Sequence, residues 1–164
     1  MSLAETGFLT IEEIKKLGKY PSEERFKKGP VAVIECIQEI PCNPCESACR
    51  FGAIELGEPI TNLPTLNEDK CTGCGLCVAK CPGLAIFIID KAYSDTMATV
   101  SFPHEYLPLP EKDAEVEAVD RSGQVVCTGK VIKVLNPESF DRTPVVTIAV
   151  PQDKAEEVRG IKRL

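Results

Sequence analysis

Four cysteines lie within eleven residues of the stretch "CTGCGLCVAKCP", at positions 71, 74, 77 and 81, and Pro82 follows the last of them. Thiolates bind zinc or iron, but structural zinc sites usually take their ligands from two separated pairs of residues. Here the first three cysteines are each two residues apart and the fourth follows after three more. This spacing is typical of chains that wrap an iron–sulfur cluster with cysteine thiolates. We call residues 71–82 the compact run.

A looser copy of the compact run precedes it, and we call residues 36–50 the gapped run. Three of its cysteines and the apolar pair after them repeat at a constant offset of 32 residues: Cys42, Cys45, Cys49, Ala53 and Ile54 match Cys74, Cys77, Cys81, Ala85 and Ile86. Cys36 breaks the offset because three extra residues separate it from Cys42, and Glu39 stands where an ungapped copy would have cysteine.

Two interpretations of Cys36 are open. The loop bulges so that Cys36 still reaches the iron, or Cys36 is a buried thiol and the first site holds three irons or an oxygen ligand. We favour the bulge, because the strand-like "VAVIE" before Cys36 is a usual lead-in to a first ligand, and Pro41 and Pro44 would stiffen such a loop.

Composition limits the function classes. The 164 residues are 43% hydrophobic, enough for one ordinary core or two small ones, and the net charge of −6 with three tyrosines and no tryptophan argues against a nucleic-acid partner. An odd count of nine cysteines without a signal-peptide pattern argues against a secreted disulfide framework. No apolar run is long enough for a membrane helix. We expect a cytoplasmic protein that is not inserted into a membrane.

The stretch from Val31 to Asp90 resembles the bacterial-type ferredoxin that holds two [4Fe-4S] clusters. In that family the fourth cysteine of each run binds the cluster of the other run. The resemblance therefore implies two ligand sets. Cluster one would take Cys36, Cys42, Cys45 and Cys81, and cluster two would take Cys71, Cys74, Cys77 and Cys49. Because each half is bound to the other through iron, loss of the metal should unfold this part of the chain.

The predicted fold class is α+β, with three parts. Residues 1–29 form a helical N-terminal extension, in which Thr10 and Glu13 make a capping box and "PSEERFKKGP" is a second single-turn helix. Residues 30–92 form the duplicated ferredoxin-like domain. Residues 93–164 alternate apolar and polar residues in four or five strands, which predicts a small barrel or sandwich that ends in a helix over "PQDKAEEVRGIKRL".

No residue is predicted to be catalytic, because neither a phosphate loop nor a nucleophile paired with a base is found. We expect His104 at the surface, in a loop-like stretch, and Cys127 as a buried inert thiol in an apolar strand. Arg50 replaces the proline that follows the compact run, and its charge could raise the potential of one cluster. The competing interpretation is that Arg50 points into solvent without effect.

The chain as a whole is similar to the small iron–sulfur subunit of flavin-dependent dehydrogenases of the proline, hydroxyproline or opine kind, on "GPVAVIECIQEIPCNPCESACRFGAI" and "EYLPLPEKDAEVEAVDRSG". That resemblance implies a hetero-oligomer with flavoprotein subunits that contain FAD or FMN, and it implies that this chain relays their electrons. Two alternatives stay open. One is a free-standing ferredoxin-like carrier, and the other is a zinc-binding structural or interaction module.

Overall fold

The computed structural model describes residues 2–164 and shows an α+β fold in which sheet predominates over short helices. Five α-helices precede or lie within the cysteine-rich part: α1 Leu3–Thr6, α2 Ile11–Lys16, α3 Glu23–Phe26, α4 Pro44–Ala48 and α5 Leu76–Lys80. The strands are β1 Val31–Ile34, β2 Ile54–Glu55, β3 Thr65–Leu66, β4 Ile86–Asp90, β5 Met97–Pro103, β6 Glu115–Val119, β7 Val125–Leu135, β8 Val145–Pro151 and β9 Gly160–Ile161. Short 3₁₀ turns cover Glu138–Phe140 and Gln152–Lys154.

Seven of these strands form one antiparallel sheet in the order β1-β4-β5-β8-β7-β6-β9, while β2 and β3 pair separately. In the β1–β4 pair, Val31 lies opposite Ile89 and Ile34 lies opposite Ile86. Side chains alternate between the two faces of a sheet. Val31 and Val33 therefore pack into one apolar core, and their neighbours Ala32 and Ile34 pack into a second core that contains the cysteine-bearing helices.

A contact between the two edges shows that the sheet curls. Glu35 follows the edge strand β1, and its carboxylate accepts a hydrogen bond at 2.7 Å from Arg159, which precedes the opposite edge strand β9. The two edges of a flat seven-stranded sheet would lie too far apart for this contact, because neighbouring strands are about 4.8 Å apart. Val31 of β1 and Ile161 of β9 are buried in the same apolar cluster. The curl brings the segments after β6 and before β9 close to the residues that follow β1.

The two predicted helices of the N-terminal extension are confirmed. The Thr10 hydroxyl accepts a hydrogen bond from the Glu13 backbone N–H, and the Glu13 carboxylate accepts one from the Thr10 N–H, which completes the capping box. Ser22 caps α3 by accepting from the Arg25 N–H. Ile14 and Phe26 are buried, so these helices cover part of the protein core.

The C-terminal strands do not form a separate barrel or sandwich as expected. Strand β5 pairs directly with β4, with Ile88 opposite Ser101 and Asp90 opposite Thr99, so the strands after residue 93 extend the sheet that β1 and β4 begin. The physical reason is that β4 would otherwise present an unpaired edge of N–H and C=O groups. The predicted boundary between residues 92 and 93 lies in the turn between two paired strands.

The predicted closing helix is wrong. After Pro151 the chain makes a 3₁₀ turn over Gln152–Lys154 and then the short strand β9, in which Ile161 lies opposite Ala118 of β6. Gly160 lowers helix propensity at this point. Pairing with β6 supplies the backbone hydrogen bonds that a helix would have supplied, since Arg159 N–H donates to Val119 O at 2.9 Å.

Candidate metal centre

Eight of the nine cysteines line two cavities, four in each. Cavity one is lined by Cys36, Cys42, Cys45 and Cys81. Cavity two is lined by Cys49, Cys71, Cys74 and Cys77. The structure thus brings together the same two groups of four that the family resemblance implies for cluster one and cluster two, including the exchange of Cys49 and Cys81 between the halves. All nine cysteines are free thiols.

The two short helices place corresponding thiols at corresponding points. Cys45 lies in the first turn of α4 and Cys77 in the first turn of α5, and both are buried between the helices and the sheet. Cys49 and Cys81 follow the last residues of these helices, where the backbone becomes extended. The helix therefore directs one thiol into its own cavity, and the change to extended backbone directs the next thiol into the other cavity.

Backbone N–H groups point at three of the sulfur atoms. The Ala53 N–H donates to Cys49 Sγ at 3.3 Å, and the corresponding Ala85 N–H donates to Cys81 Sγ at 3.5 Å. The Ala32 N–H of β1 donates to Cys71 Sγ at 3.4 Å. Such hydrogen bonds favour the negatively charged thiolate and, in iron–sulfur proteins, stabilise the more reduced cluster.

The thiol pKa values differ within the site for physical reasons. Burial raises the pKa of Cys77 to about 12, and the charges of Cys71 and Cys74 act in the same direction. Burial also raises the pKa of Cys45 to about 11. For Cys49, burial acts to raise the pKa, but the hydrogen bonds from the backbone, the Ala53 N–H first among them, outweigh it and lower the pKa. Metal binding at Cys45 and Cys77 must therefore displace a proton.

The gapped loop allows Cys36 to reach cavity one. Cys36 and Cys42 line that cavity together, and Gln38 and Ile40 of the intervening segment line it as well. Glu39, which stands where an ungapped copy would have cysteine, is exposed and does not line the cavity. The three extra residues are therefore accommodated as a bulge at the surface. That Cys36 binds iron stays a prediction.

The residues present fit a cluster better than a single ion. Four thiolates around one zinc ion lie about 3.8 Å apart, given tetrahedral geometry and zinc–sulfur bonds of about 2.3 Å. Among residues 2–164, no three His, Cys, Asp or Glu side chains are close enough together to hold one metal ion. The four thiols of each group line a cavity between them. The other side chains that line cavity two are apolar apart from Thr72.

Arg25 supports the loop of the first cysteine of the compact run, and the sequence did not point to it. Its side chain is only 7% exposed. The Arg25 guanidinium donates to the backbone carbonyls of Glu68, Gly29, Pro30 and Cys71 at 2.7 to 3.1 Å. This fixes the entrance to cavity two against α3. A single arginine in a capped, charged turn carries no pattern that would have revealed these acceptors, two of which lie 43 and 46 residues away in the sequence.

A second group missed by sequence reasoning joins Glu35, next to Cys36, to the part of the chain after β4, residues 91–164, which we call the C-terminal segment. The Glu35 carboxylate accepts hydrogen bonds from Arg121 and from Arg159, with Arg159 Nε to Glu35 Oε1 at 2.7 Å. Burial acts to raise the pKa of Glu35, but the charge of Arg159 and the contacts with Arg121 outweigh burial and lower it. The partners are 86 and 124 residues away from Glu35, so only the curl of the sheet brings them together.

His104 and Cys127 differ from expectation. His104 is buried, with 4% exposure, rather than at the surface, because its ring packs edge-on against Phe102 and Tyr106. Burial lowers its pKa. Cys127 is half-buried on β7 at the margin of the first core, not fully buried, and its pKa is raised by burial. Neither side chain lines cavity one or cavity two.

Comparison with known proteins identifies the compact run. Residues 64–87 match the 4Fe-4S binding domain family. An uncharacterized ferredoxin of Methanocaldococcus jannaschii is 41% identical over 78 residues, which cover 43% of this chain and 45% of that protein. One component of the Na⁺-translocating ferredoxin:NAD⁺ oxidoreductase complex of Acetobacterium woodii is 41% identical over 48 residues, which cover 29% of this chain and 14% of that component.

A third relative is the polyferredoxin-like subunit of an aliphatic sulfonate oxidoreductase of Pyrococcus furiosus, 44% identical over 48 residues, which cover 29% of this chain and 27% of that protein. The chain spans less than half the length of each of these three relatives. No solved structure matches it. No helix within residues 2–164 has the length and apolar character needed to cross a membrane. The family match and the ferredoxin-named relatives support an iron–sulfur protein of the ferredoxin type.

Proposed function

We propose that this chain carries two [4Fe-4S] clusters and transfers single electrons between protein partners. The observation that carries the proposal is the sorting of eight thiols into two cavities of four. Cluster one would be held by Cys36, Cys42, Cys45 and Cys81. Cluster two would be held by Cys49, Cys71, Cys74 and Cys77.

The cysteines of this chain suit it for electron transfer and not for chemistry on a bound substrate. A [4Fe-4S] cluster with cysteine on every iron supplies one-electron chemistry and has no open coordination position. Helices α4 and α5 orient the buried thiols, and the N–H groups of Ala53, Ala85 and Ala32 point at the sulfur atoms. The lining of cavity two, apolar apart from its thiols and Thr72, would give a bound cluster a less polar surrounding on that side.

We further propose that the chain is the relay subunit of a larger oxidoreductase in the cytoplasm, next to a flavoprotein subunit that oxidises an amino acid or imino acid. The relatives from Acetobacterium woodii and Pyrococcus furiosus are named as subunits of oxidoreductase complexes. The N-terminal extension and the strands after β4 add surface that a two-cluster ferredoxin does not need for metal binding. Flavin subunits deliver electrons singly or in pairs, and two clusters in one chain suit that delivery.

Anaerobic purification of the full chain followed by iron and sulfide analysis tests the cofactor proposal. Two clusters predict about eight irons and about eight sulfides per chain and a brown protein. A colourless protein with one or two zinc ions would refute it and support the zinc-binding module. About seven irons would indicate that cluster one has lost the position assigned to Cys36.

Affinity capture from the native source tests the complex. The relay proposal predicts that a flavoprotein co-purifies in a fixed ratio, with a yellow flavin spectrum superimposed on the brown iron–sulfur absorption. A chain that carries its clusters but elutes alone, and that still accepts electrons from a reduced flavoprotein, would support the free-standing carrier instead.

A further inference from the structure

A buried ion network of one carboxylate and two guanidiniums lies beside cavity one, whereas Arg25, the buried arginine beside cavity two, donates to backbone carbonyls. Glu35, Arg121 and Arg159 have side-chain exposures of 10%, 10% and 4%. Arg121 contacts both carboxylate oxygens of Glu35, with Nε to Oε2 at 3.0 Å, and Arg159 Nε donates to Oε1 at 2.7 Å. The two guanidiniums also donate to backbone carbonyls of the C-terminal segment, including Glu156 O.

The network faces the thiols of cavity one. A single groove is lined by Glu35, Arg121 and Arg159 together with Cys36, Cys42 and Cys81. Neither cavity is itself lined by a charged side chain, but the groove shares Cys36, Cys42 and Cys81 with cavity one and shares no lining residue with cavity two. Charges inside a protein act over longer distances than in water, because the surrounding dielectric is lower. The three charged groups therefore act on cluster one more strongly than on cluster two.

The three groups carry a net charge of +1, since two guanidiniums face one carboxylate. The nearby carboxylate of Glu156 is neutralised by Lys15 at 3.1 Å and Lys91 at 3.6 Å. Asp120 also lines the groove, but its carboxylate caps an exposed turn through Ser122, where solvent screens it. The buried part of the field at cavity one is therefore positive.

Glu35 also links the two arginines to the backbone that carries the predicted ligands of cluster one. Its backbone N–H donates to Ala85 O at 2.8 Å, and the Ala85 N–H donates in turn to Cys81 Sγ. Glu35 is the residue immediately before Cys36. Glu35 thus joins two parts of the molecule. Its backbone is continuous with Cys36 and is hydrogen-bonded next to Cys81, and its carboxylate binds the two arginines of the C-terminal segment.

We propose that the C-terminal segment sets the redox potential of cluster one, and not that of cluster two, through Arg121 and Arg159 held by Glu35. The two arginines stabilise the additional negative charge of the reduced state, and Glu35 opposes them while holding them in place. These three are positioning residues that do not bind the metal. The inference rests on the proposed function, because it requires both clusters to be present.

The test compares two variants, one that removes a positive charge and one that removes a negative charge. Each is purified without oxygen with its clusters bound, and the midpoint potential of each cluster is measured by redox titration followed by electron paramagnetic resonance. Arg121→Gln removes a positive charge and should make cluster one about tenfold harder to reduce at a given potential, a shift of about −59 mV for a one-electron couple. Glu35→Gln removes a negative charge and should shift the same midpoint in the positive direction. Simple structural damage would not reverse sign between the two variants.

Further variants serve as controls. They show which midpoint belongs to which cluster, and they keep the test decisive if one variant does not fold. Arg163→Gln removes an exposed arginine and should leave both midpoints unchanged. Arg121→Lys keeps the charge while losing the bidentate contact, so the midpoint of cluster one should stay near that of the unaltered chain. If Arg121→Gln does not fold, Arg121→Lys and Glu35→Gln together test the inference. Cys42→Ser and Cys74→Ser, at matching repeat positions, identify which midpoint belongs to cluster one and which to cluster two.

Equal shifts of both midpoints, shifts of the same sign in Glu35→Gln and Arg121→Gln, or no shift in either would overturn the inference. Iron and sulfide analysis of each sample separates this outcome from failure of the proposed function. If the unaltered chain holds no clusters, the proposed function fails. If all variants hold about eight irons and cluster one does not move, only the inference fails.

Discussion

Cavity one and cavity two differ in how the chain reaches the first thiol, and they agree in almost everything after it. In both, a short helix carries a buried cysteine and an extended residue after the helix carries the crossing cysteine. In both, the fourth residue after the crossing cysteine donates its N–H to the sulfur. Before the helix, the gapped run has five residues between Cys36 and Cys42, whereas the compact run has two between Cys71 and Cys74.

This difference shows which part of the repeat the thiol geometry constrains. The helix and the turn after it occur in both halves because they place two thiols in two different cavities. The loop before α4 brings its two thiols, Cys36 and Cys42, into one and the same cavity, so it tolerates three additional residues between them. The thiols at both ends of the longer loop, Cys36 and Cys42, line the groove next to the C-terminal segment, while the shorter loop packs Gly73 closely against Pro30.

The largest expected effect comes from removing the first thiol of each half. If Cys36 and Cys71 are equivalent iron ligands, Cys36→Ser and Cys71→Ser should each lower the iron content by the same amount. The content should fall from about eight per chain to about seven where three irons stay bound, or to about four with partial unfolding where the whole cluster is lost, because metal binding and folding are coupled. Iron and sulfide analysis with circular dichroism measures both effects. Cys127→Ser is the matched control and should keep about eight irons. An unchanged iron content in Cys36→Ser alone would break the equivalence of the two cavities.

The second effect concerns the tight loop of the compact run. Gly73 has φ +69°, and a Cβ atom there would lie 2.5 Å from Pro30 Cβ and 2.6 Å from Pro30 O. Gly73→Ala should therefore lower the free energy of unfolding by about 3 to 4 kcal/mol, from steric overlap and backbone strain together. Denaturant titration of the loaded protein measures this.

Gly75→Ala supplies the control for Gly73→Ala. Gly75 has φ +80°, but the nearest atom to a Cβ there is Ile88 Cγ1 at 3.8 Å. Only backbone strain remains, so the loss should be about 1 kcal/mol. The corresponding positions in the gapped run are Pro41 and Asn43, which shows that the longer loop does not need these glycines. Equal losses in the two variants would contradict the close approach of Pro30.

The third effect tests the support that cavity two alone receives from α3. Arg25→Met keeps a similar length but removes the donors to four carbonyls, including Cys71 O, and should lower the free energy of unfolding by about 2 to 3 kcal/mol. Cluster two should also be lost faster than cluster one on exposure to air. The decay of the electron paramagnetic resonance signal of each cluster measures this loss. Lys27→Met, an exposed neighbour, should change neither quantity.

The smallest effect concerns Arg50, which is exposed and follows the crossing thiol of cluster two. Arg50→Ala should make cluster two harder to reduce by less than the tenfold change expected for Arg121→Gln, because solvent and salt screen an exposed charge. The shift should shrink further as salt is added to the titration. A midpoint that does not move at low salt would support the alternative that Arg50 points into solvent without effect.

The sequence alone was enough to predict the grouping of the thiols and the capping of the helix Ile11–Lys16. The cysteine spacing and the constant offset of 32, together with the family resemblance they carry, predict the two ligand groups, and the structure brings the same thiols together. The capping box of Thr10 and Glu13 was predicted as well and is confirmed. These features depend on neighbouring residues, or on a repeat whose two copies follow one pattern, so spacing along the chain carries the information.

Only the tertiary structure decided how the last 70 or so residues relate to the cysteine-rich part. Alternating strands predict that a sheet forms, but which edge they join depends on pairing between distant segments. The chain after β4 continues the first sheet and curls, which buries His104 and turns the expected closing helix into β9. The same curl places Arg121 and Arg159 against Glu35. Contacts across 86 and 124 residues leave no periodic pattern in the sequence, because each depends on the packing of the whole sheet.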